Sequence, residues 1–373
     1  MNNLESVTIH QFRGLRDLEL KDLGRINLLV GINNSGKTSV LEALEIYCHP
    51  LDMRFWLGTA LQREQERRSS RTRPIDALQW LFTRYFNDQH QDIKKPTIFI
   101  SSSGLYSVKE LRSSYEEMEG IWLSDSRKIR EINSDDVPGV RRGIDLKIEV
   151  FSRENQLNHG DFVENFQLWE DDSLSRLSRK KEPSLNTSVV TPSSHRSEIG
   201  QFRLLSEATL QNFKSDVIKL LKQIDTNISD IEILLSPDSI ISRFNIYIQH
   251  KKLGLAPVST FGDGIRRLLH IALKLASVKG GILLIDELES TIHTEALQNS
   301  FRWLVKWCTE MDVQLFATTH SLEAVDALLE VTESDSDLVL YRLEPKEEKT
   351  KVVRHDGHRL RRLREELGQE VRW

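Results

Sequence analysis

Residues 26–48 read INLLVGINNSGKTSVLEALEIYC, and this stretch decides the fold. INLLVG is a nearly continuous apolar run, the mark of a strand buried on both faces. Gly31 to Ser39 then match G-x-x-x-x-G-K-[ST], and the SVLEALEIY that follows is apolar at helical spacing. Strand, glycine-bounded loop and helix is the predicted local structure. Such a loop needs glycines because its backbone must turn tightly and bring N–H groups onto phosphate oxygens at the positive end of the following helix dipole. Gly31, Asn33, Asn34, Ser35, Gly36, Lys37, Thr38 and Ser39 are the expected nucleotide contacts. Within them Lys37 is expected on the β- and γ-phosphates, and the Thr38 hydroxyl on Mg²⁺.

A phosphate loop names a nucleotide and not an activity. The second element is GILLIDE, Gly281 to Glu287, where two carboxylates end an apolar strand. Charges there are expensive unless a cation is present. Asp286 is expected to orient Mg²⁺, and Glu287 to position or deprotonate the attacking water. A third strand, VQLFATTHS, ends at His320. A lone histidine in that place also fits a satisfied core position, but the end of a strand of the same sheet points to a γ-phosphate contact. The turn FGDG, Phe261 to Gly264, opens a helix, where Gly262, Asp263 and Gly264 offer a second nest of N–H donors. By itself a Gly-Asp-Gly turn before a helix is ordinary.

Composition limits the alternatives. With 39% hydrophobic and 29% charged residues the chain has enough apolar material for a core, so disorder throughout is excluded. Lys and Arg total 51 against 56 Asp and Glu, so any contact with nucleic acid must be local. The two cysteines, Cys48 and Cys308, form no CxxC or Cys/His cluster, which argues against a disulfide scaffold and a zinc site. The opening MNNLESVTIHQF has no basic stretch followed by an apolar core, and no run of 18 apolar residues occurs. The chain is expected to be cytoplasmic, with no membrane partner.

Three parts are predicted along the chain. Residues 1–50 open an α/β core with a mainly parallel sheet. Residues 51–187 turn polar and read as an insertion of helix and antiparallel strands, with β-like runs at Thr97–Ile100, Asp145–Phe151 and Phe162–Leu168. Its arginines Arg63, Arg67, Arg68, Arg71 and Arg73, with Arg141, Arg142, Arg179, Lys180 and Lys181, fit either a solvated face or a DNA backbone. Residues 188–373 return to the core and end in a charged tail. Leu204, Leu205, Ala208, Phe213, Val217, Leu220, Leu221 and Ile224 predict one long amphipathic helix, followed by strands at IEILL and FNIYIQ.

The opening FRGL (Phe12–Leu15), the phosphate loop, FGDG with its following RR, LLIDELE and FATTHS together resemble the ABC-type ATPase heads of the RecF, SMC and OLD group. The likeness is greatest to the compact bacterial AAA-15 and AAA-21 ATPases related to OLD proteins. The resemblance implies a P-loop NTPase head with an antiparallel β-subdomain and a partly helical insertion. It implies ATP and Mg²⁺ as ligands, Asp286 and Glu287 as the Walker B pair, and His320 as the switch histidine. Gly262, Asp263 and Gly264 match the signature loop, which contacts ATP bound to the opposite subunit, with Gly262 in place of the signature serine. His293 falls where transporters carry the D-loop aspartate, and no Q-loop glutamine is placed. With only a short stretch after residue 345, the Toprim nuclease of OLD proteins is not expected. An ATP-dependent homodimer acting on a separately encoded effector, plausibly in anti-phage defence, is the expected function; the alternative is a RecF-like DNA clamp.

Overall fold

SVTIHQF and LRDLEL pair as a hairpin, β1 (Ser6–Phe12) and β2 (Leu15–Leu20), turned at Arg13 and Gly14. The wholly buried INLLV is β3 (Ile26–Val30), and the helix after the glycine loop is α1 (Lys37–Cys48). The computed structural model describes residues 2–65, 73–83, 95–122, 139–152, 162–170, 183–196, 200–235, 244–346 and 349–373. After α1 come α2 (Met53–Gln65) and α3 (Pro74–Gln79), then β4 (Thr97–Ser103), β5 (Val108–Trp122), β6 (Gly139–Ser152), β7 (Phe162–Trp169) and β8 (Thr187–Val190). The second half runs α4 (Gln201–Leu210), α5 (Lys214–Lys222), β9 (Ile228–Leu235), β10 (Phe244–His250), β11 (Gly254–Pro257), α6 (Asp263–Ser277), β12 (Ile282–Ile285) and α7 (Thr294–Glu310). It closes with β13 (Gln314–Thr318), α8 (Leu322–Val331), β14 (Leu338–Pro345), β15 (Thr350–Asp356) and α9 (Gly357–Arg361). None of the described helices is long and apolar enough to cross a membrane.

The central sheet has the order β15-β14-β3-β13-β12-β8, parallel throughout except for the β14–β15 hairpin. Its inner strands β3, β13 and β12 are buried at every position and mostly apolar because each face of the sheet has its own core. Leu28, Val30, Leu283, Ile285, Leu315 and Ala317 face the helices of the second half, α4 to α8. Leu29, Ile282, Leu284 and Phe316 face α1 and the antiparallel sheet. The two-residue period of a strand divides the side chains between these layers. The phosphate-loop helix α1 is thereby clamped between two sheets.

That antiparallel sheet has the order β2-β1-β4-β5-β6-β7. Residues 51–187, read as an insertion, therefore continue the sheet that β1 and β2 begin. The sequence boundary at 187 falls on the first residue of β8, an edge strand of the central sheet. The 15-residue β5 escapes a reading by hydrophobicity because only one face of VKELRSSYEEMEGIW is covered, by Leu111 and Tyr115 among others.

The predicted long helix over 204–224 is corrected to two helices. Asn212 takes a left-handed φ of 58°, and the Phe213 amide bonds back to the Ala208 carbonyl at 2.8 Å, the closing bond of a helix C-cap. Asparagine tolerates that conformation, and the apolar stripe resumes in α5 with its phase reset. Strands at IEILL and FNIYIQ are present as β9 and β10, in a small sheet of order β11-β10-β9.

Candidate functional site

Because β3, β13, β12 and β8 are parallel, their C-terminal ends emerge together on one side of the sheet, where ligands of such sheets bind. At the end of β3 the chain makes its tightest turn. Gly31 has φ 145°, and a Cβ there would lie 2.6 Å from the Leu343 carbonyl oxygen; Gly36 has φ 94°, and a Cβ would meet Leu15 Cδ2 at 2.5 Å. Both positions require glycine. No side chain caps the start of α1, so its first amides remain for an anion. Lys37 is buried, and its Nζ donates to the carbonyls of Gly31 and Ile32, both at 2.9 Å. Burial pushes its pKa down, opposed by the carboxylates of Asp286, Glu287 and Glu289.

Those carboxylates come from the end of β12. Thr38 Oγ1 donates to Asp286 Oδ2 at 3.0 Å, and Thr318 Oγ1, at the end of β13, donates to Asp286 Oδ1 at 2.6 Å. The same Thr318 oxygen accepts from the Glu287 amide at 2.8 Å. Glu287 itself has a left-handed φ of 51°. Glu289 turns the other way: it accepts from Thr319 Oγ1 at 2.7 Å and from the His320 amide at 3.0 Å, and so sets the loop that carries His320. Burial and then the Lys37 charge hold the His320 pKa below its usual range, so its ring is neutral at neutral pH.

A cavity of about 440 Å³ gathers Asn33, Asn34, Ser35, Gly36, Lys37, Thr38, Ser39, Asp286, Glu287 and His320. Gly31 enters through its carbonyl on Lys37. Gly262, Asp263 and Gly264 are not among the lining residues; Asp263 instead pairs with Arg196 at 2.9 Å and Arg266 at 3.2 Å. The cavity also holds Glu42, Gln62 and Thr191, which sequence reasoning misses, and Arg63, which it sets on a solvated or DNA-facing surface. Thr191 directly follows β8, whose last residue, Val190, accepts from the Asp286 amide at 2.8 Å. Arg63 donates to both oxygens of buried Glu42 at 2.7 Å and to Ser39 Oγ at 3.0 Å. The i,i+4 apolar pattern of α1 gives no hint that Glu42 is inside.

A second cavity, about 960 Å³, shares Asn34, Ser35, Gly36, Ser39 and Arg63 with the first. It continues over the β1–β2 turn past Arg13, Arg16, Trp80, Phe82, Lys346 and Lys349. Of the other basic residues singled out, Arg73 pairs with Glu170, and Arg141 lies over the Trp169 ring at 4.6 Å. Arg142 Nη2 is 3.9 Å from Glu117. Arg67, Arg68, Arg71, Arg179, Lys180 and Lys181 lie outside the described residues.

Residues 26–326 match the family described as “AAA domain, putative AbiEii toxin, Type IV TA system”. The chain belongs to this AAA-domain family. Its fold is that of an α/β P-loop NTPase with mixed sheets. An ATP/GTP phosphatase of Helicobacter pylori is 21% identical over 341 residues, 88% of each chain. An uncharacterized protein of Methanocaldococcus jannaschii is 44% identical over 69 residues, a match that spans 18% of this AAA-domain chain and 60% of that protein's length. Among solved structures, an SMC head bound to the C-terminal winged-helix domain of ScpA superposes with a TM-score of 0.50 at 12% identity. That alignment covers 95% of this chain and 98% of that one, and shows a shared fold.

Proposed function

We propose that this chain is an Mg²⁺-dependent ATPase head, related to the OLD branch, in which two copies close around ATP and control a separately encoded effector. The observation that carries the reading is the meeting, in one cavity, of a lysine on a glycine loop, a threonine bonded to an aspartate, a glutamate and a neutral histidine. The donor set fits a nucleotide-borne cation. Among the described residues no three His, Cys, Asp or Glu side chains form a metal site alone, and Mg²⁺ characteristically takes one or two protein oxygens, with phosphates and water completing its shell. Thr38 and Asp286 would hold that ion, which neutralises polyphosphate charge when bound. Lys37 and the first amides of α1 bind the β- and γ-phosphates. Glu287 takes a proton from the attacking water as oxygen bonds to the γ-phosphorus and the bond to the bridging oxygen breaks, leaving ADP and phosphate. His320, neutral, offers a ring N–H to the γ-phosphate.

The signature turn lies outside its own chain's cavity, which supports an assignment to the nucleotide of a second copy. Effector control, with a nuclease as the expected effector, and a defence role extend this reading by analogy with the group. Its test is Glu287→Gln, which keeps shape and removes the base. ATP should still bind and should hold two copies together, so light scattering should show mass rising with ATP and Mg²⁺ while turnover falls by about 100-fold or more. Normal turnover in this variant, or mass that ignores ATP, would sink the reading.

A further inference from the structure

Arg267 is wholly buried and touches the catalytic turn from behind, without lining the cavity. It sits on α6 one turn beyond Gly264. Its Nη1 donates to the Thr191 carbonyl at 2.7 Å, and its Nη2 donates to the carbonyls of Asp286 at 2.9 Å and Glu287 at 2.6 Å. A guanidinium removed from water is expensive unless its protons are accepted, and here main-chain oxygens accept from Nη1 and Nη2, while Nε has no partner among the described residues. Burial brings its pKa down only to about 10, opposed by Glu287, Glu289 and Asp286, so it remains charged. A hydrophobe of the same size would fill this space without making those bonds.

One of the carbonyls it holds belongs to Glu287, a residue with a side chain in the left-handed region. Glu287 keeps its left-handed φ of 51° because both flanking peptides are pinned: its amide by Thr318 Oγ1 at 2.8 Å, its own carbonyl by Arg267. At the other end of the lever, a Cβ on Gly264 would lie 3.0 Å from the Thr291 carbonyl, so the first turn of α6 rests on the loop beyond Glu287. Close-packed elements shift as bodies. A displacement of that first turn must therefore carry the Asp286–Glu287 carbonyls with it or break their bonds to Arg267.

We propose that Arg267 is the positioning residue that couples the Gly262–Asp263–Gly264 turn to Glu287 of the same chain, so that capture of the turn by nucleotide on a second copy sets the backbone carrying the base. The proposal rests on the ATP-held dimer and the role of Glu287 put forward above. Its test is the full-length chain with Arg267→Ala and Arg267→Lys, compared with wild type for ATP affinity, ATP-dependent mass and turnover. Both variants should bind ATP within about threefold of wild type and still dimerise, while kcat falls about 100-fold with KM little changed. Guanidinium at a low, non-denaturing concentration should restore part of the lost kcat in Arg267→Ala, and sodium at the same ionic strength should not. If Arg267→Ala fails to fold, Arg267→Lys decides, since lysine keeps the charge but cannot bridge three carbonyls in a fork. Wild-type kcat in Arg267→Lys, or affinity lost in step with kcat in both variants, would overturn the coupling. A wild-type chain that hydrolyses no ATP would remove the function and the coupling together, and is told apart by its own baseline.

Discussion

At Lys37 a single ammonium bonds two loop carbonyls and faces three carboxylates, and this is the arrangement of a charge that can be handed to a ligand. Lys37→Ala removes the point charge and leaves Asp286 and Glu287 facing the incoming phosphates uncompensated. ATP affinity should fall by about 100-fold or more, with turnover lost, measured by titration with a fluorescent ATP analogue and by phosphate release. Unchanged affinity would remove the lysine from the site. The threonines act differently. Thr318 and Thr38 share one aspartate, and Thr318 also receives the Glu287 amide, so one hydroxyl outside the cavity lining sets the geometry of two carboxylate residues that line it.

At the scale of the element, α6 is the part with two ends to serve. Its start carries Asp263, ion-paired to Arg196 and Arg266, and just beyond it Arg267 reaches the Asp286 and Glu287 carbonyls. Gly262 has an ordinary φ of −59° and nothing within 4 Å of where a Cβ would stand, so a side chain there leaves the fold undisturbed. Gly262→Asp should bind ATP like wild type, because the turn is outside its own cavity. It should lose the ATP-held dimer and most turnover, because a carboxylate would meet the phosphates of the second copy. Mixing it with Lys37→Ala chains should leave one intact composite site per mixed dimer and restore part of the activity, read as phosphate release against mixing ratio. Full activity of Gly262→Asp alone would show the site to be complete in one chain.

Across the whole molecule, two sheets with α1 between them provide a core on each face of the central sheet, and that core traps histidines in neutral form. Burial pushes His270 down to about 3 and His49 and His355 down to about 4. Among the described residues neither ring nitrogen of His270 has a hydrogen-bond partner. In the unfolded chain these rings take up protons near pH 6.5, whereas in the folded protein they do not until far lower. The unfolded state therefore binds more protons as pH falls, and stability drops between about pH 6.5 and 4, by up to ~1.4 kcal/mol per pH unit for each such group. Urea midpoints should fall steeply over that window, and His270→Leu should flatten the slope relative to wild type whatever it does to stability at pH 7.5. An unchanged slope would mean that His270 titrates normally.

Much of the site was legible in the sequence because the phosphate loop, the acidic end of β12 and the histidine after β13 are each written in a few consecutive residues. Gly31 and Gly36 need no partner information to be recognised, since a loop that turns this tightly admits no Cβ. The parallel arrangement followed from the alternation of strands and helices, with nearly continuous apolar runs in the strands that a sheet covered on both faces can bury. What the tertiary structure alone decided are the partnerships between distant segments. Residues 51–187 read as separate because their exposed faces are polar, yet their backbone hydrogen bonds complete the sheet of β1 and β2. The break at Asn212 was hidden by apolar spacing that continues on both sides. Thr191 and Glu42 carry no local signal, and Arg267 and Glu289, though they stand inside the FGDG–RR and LLIDELE stretches, show no role there, because each acts on groups brought to it by the fold: a buried charge takes its meaning from the carbonyl or carboxylate that answers it, and that neighbour is chosen by packing, not by sequence distance.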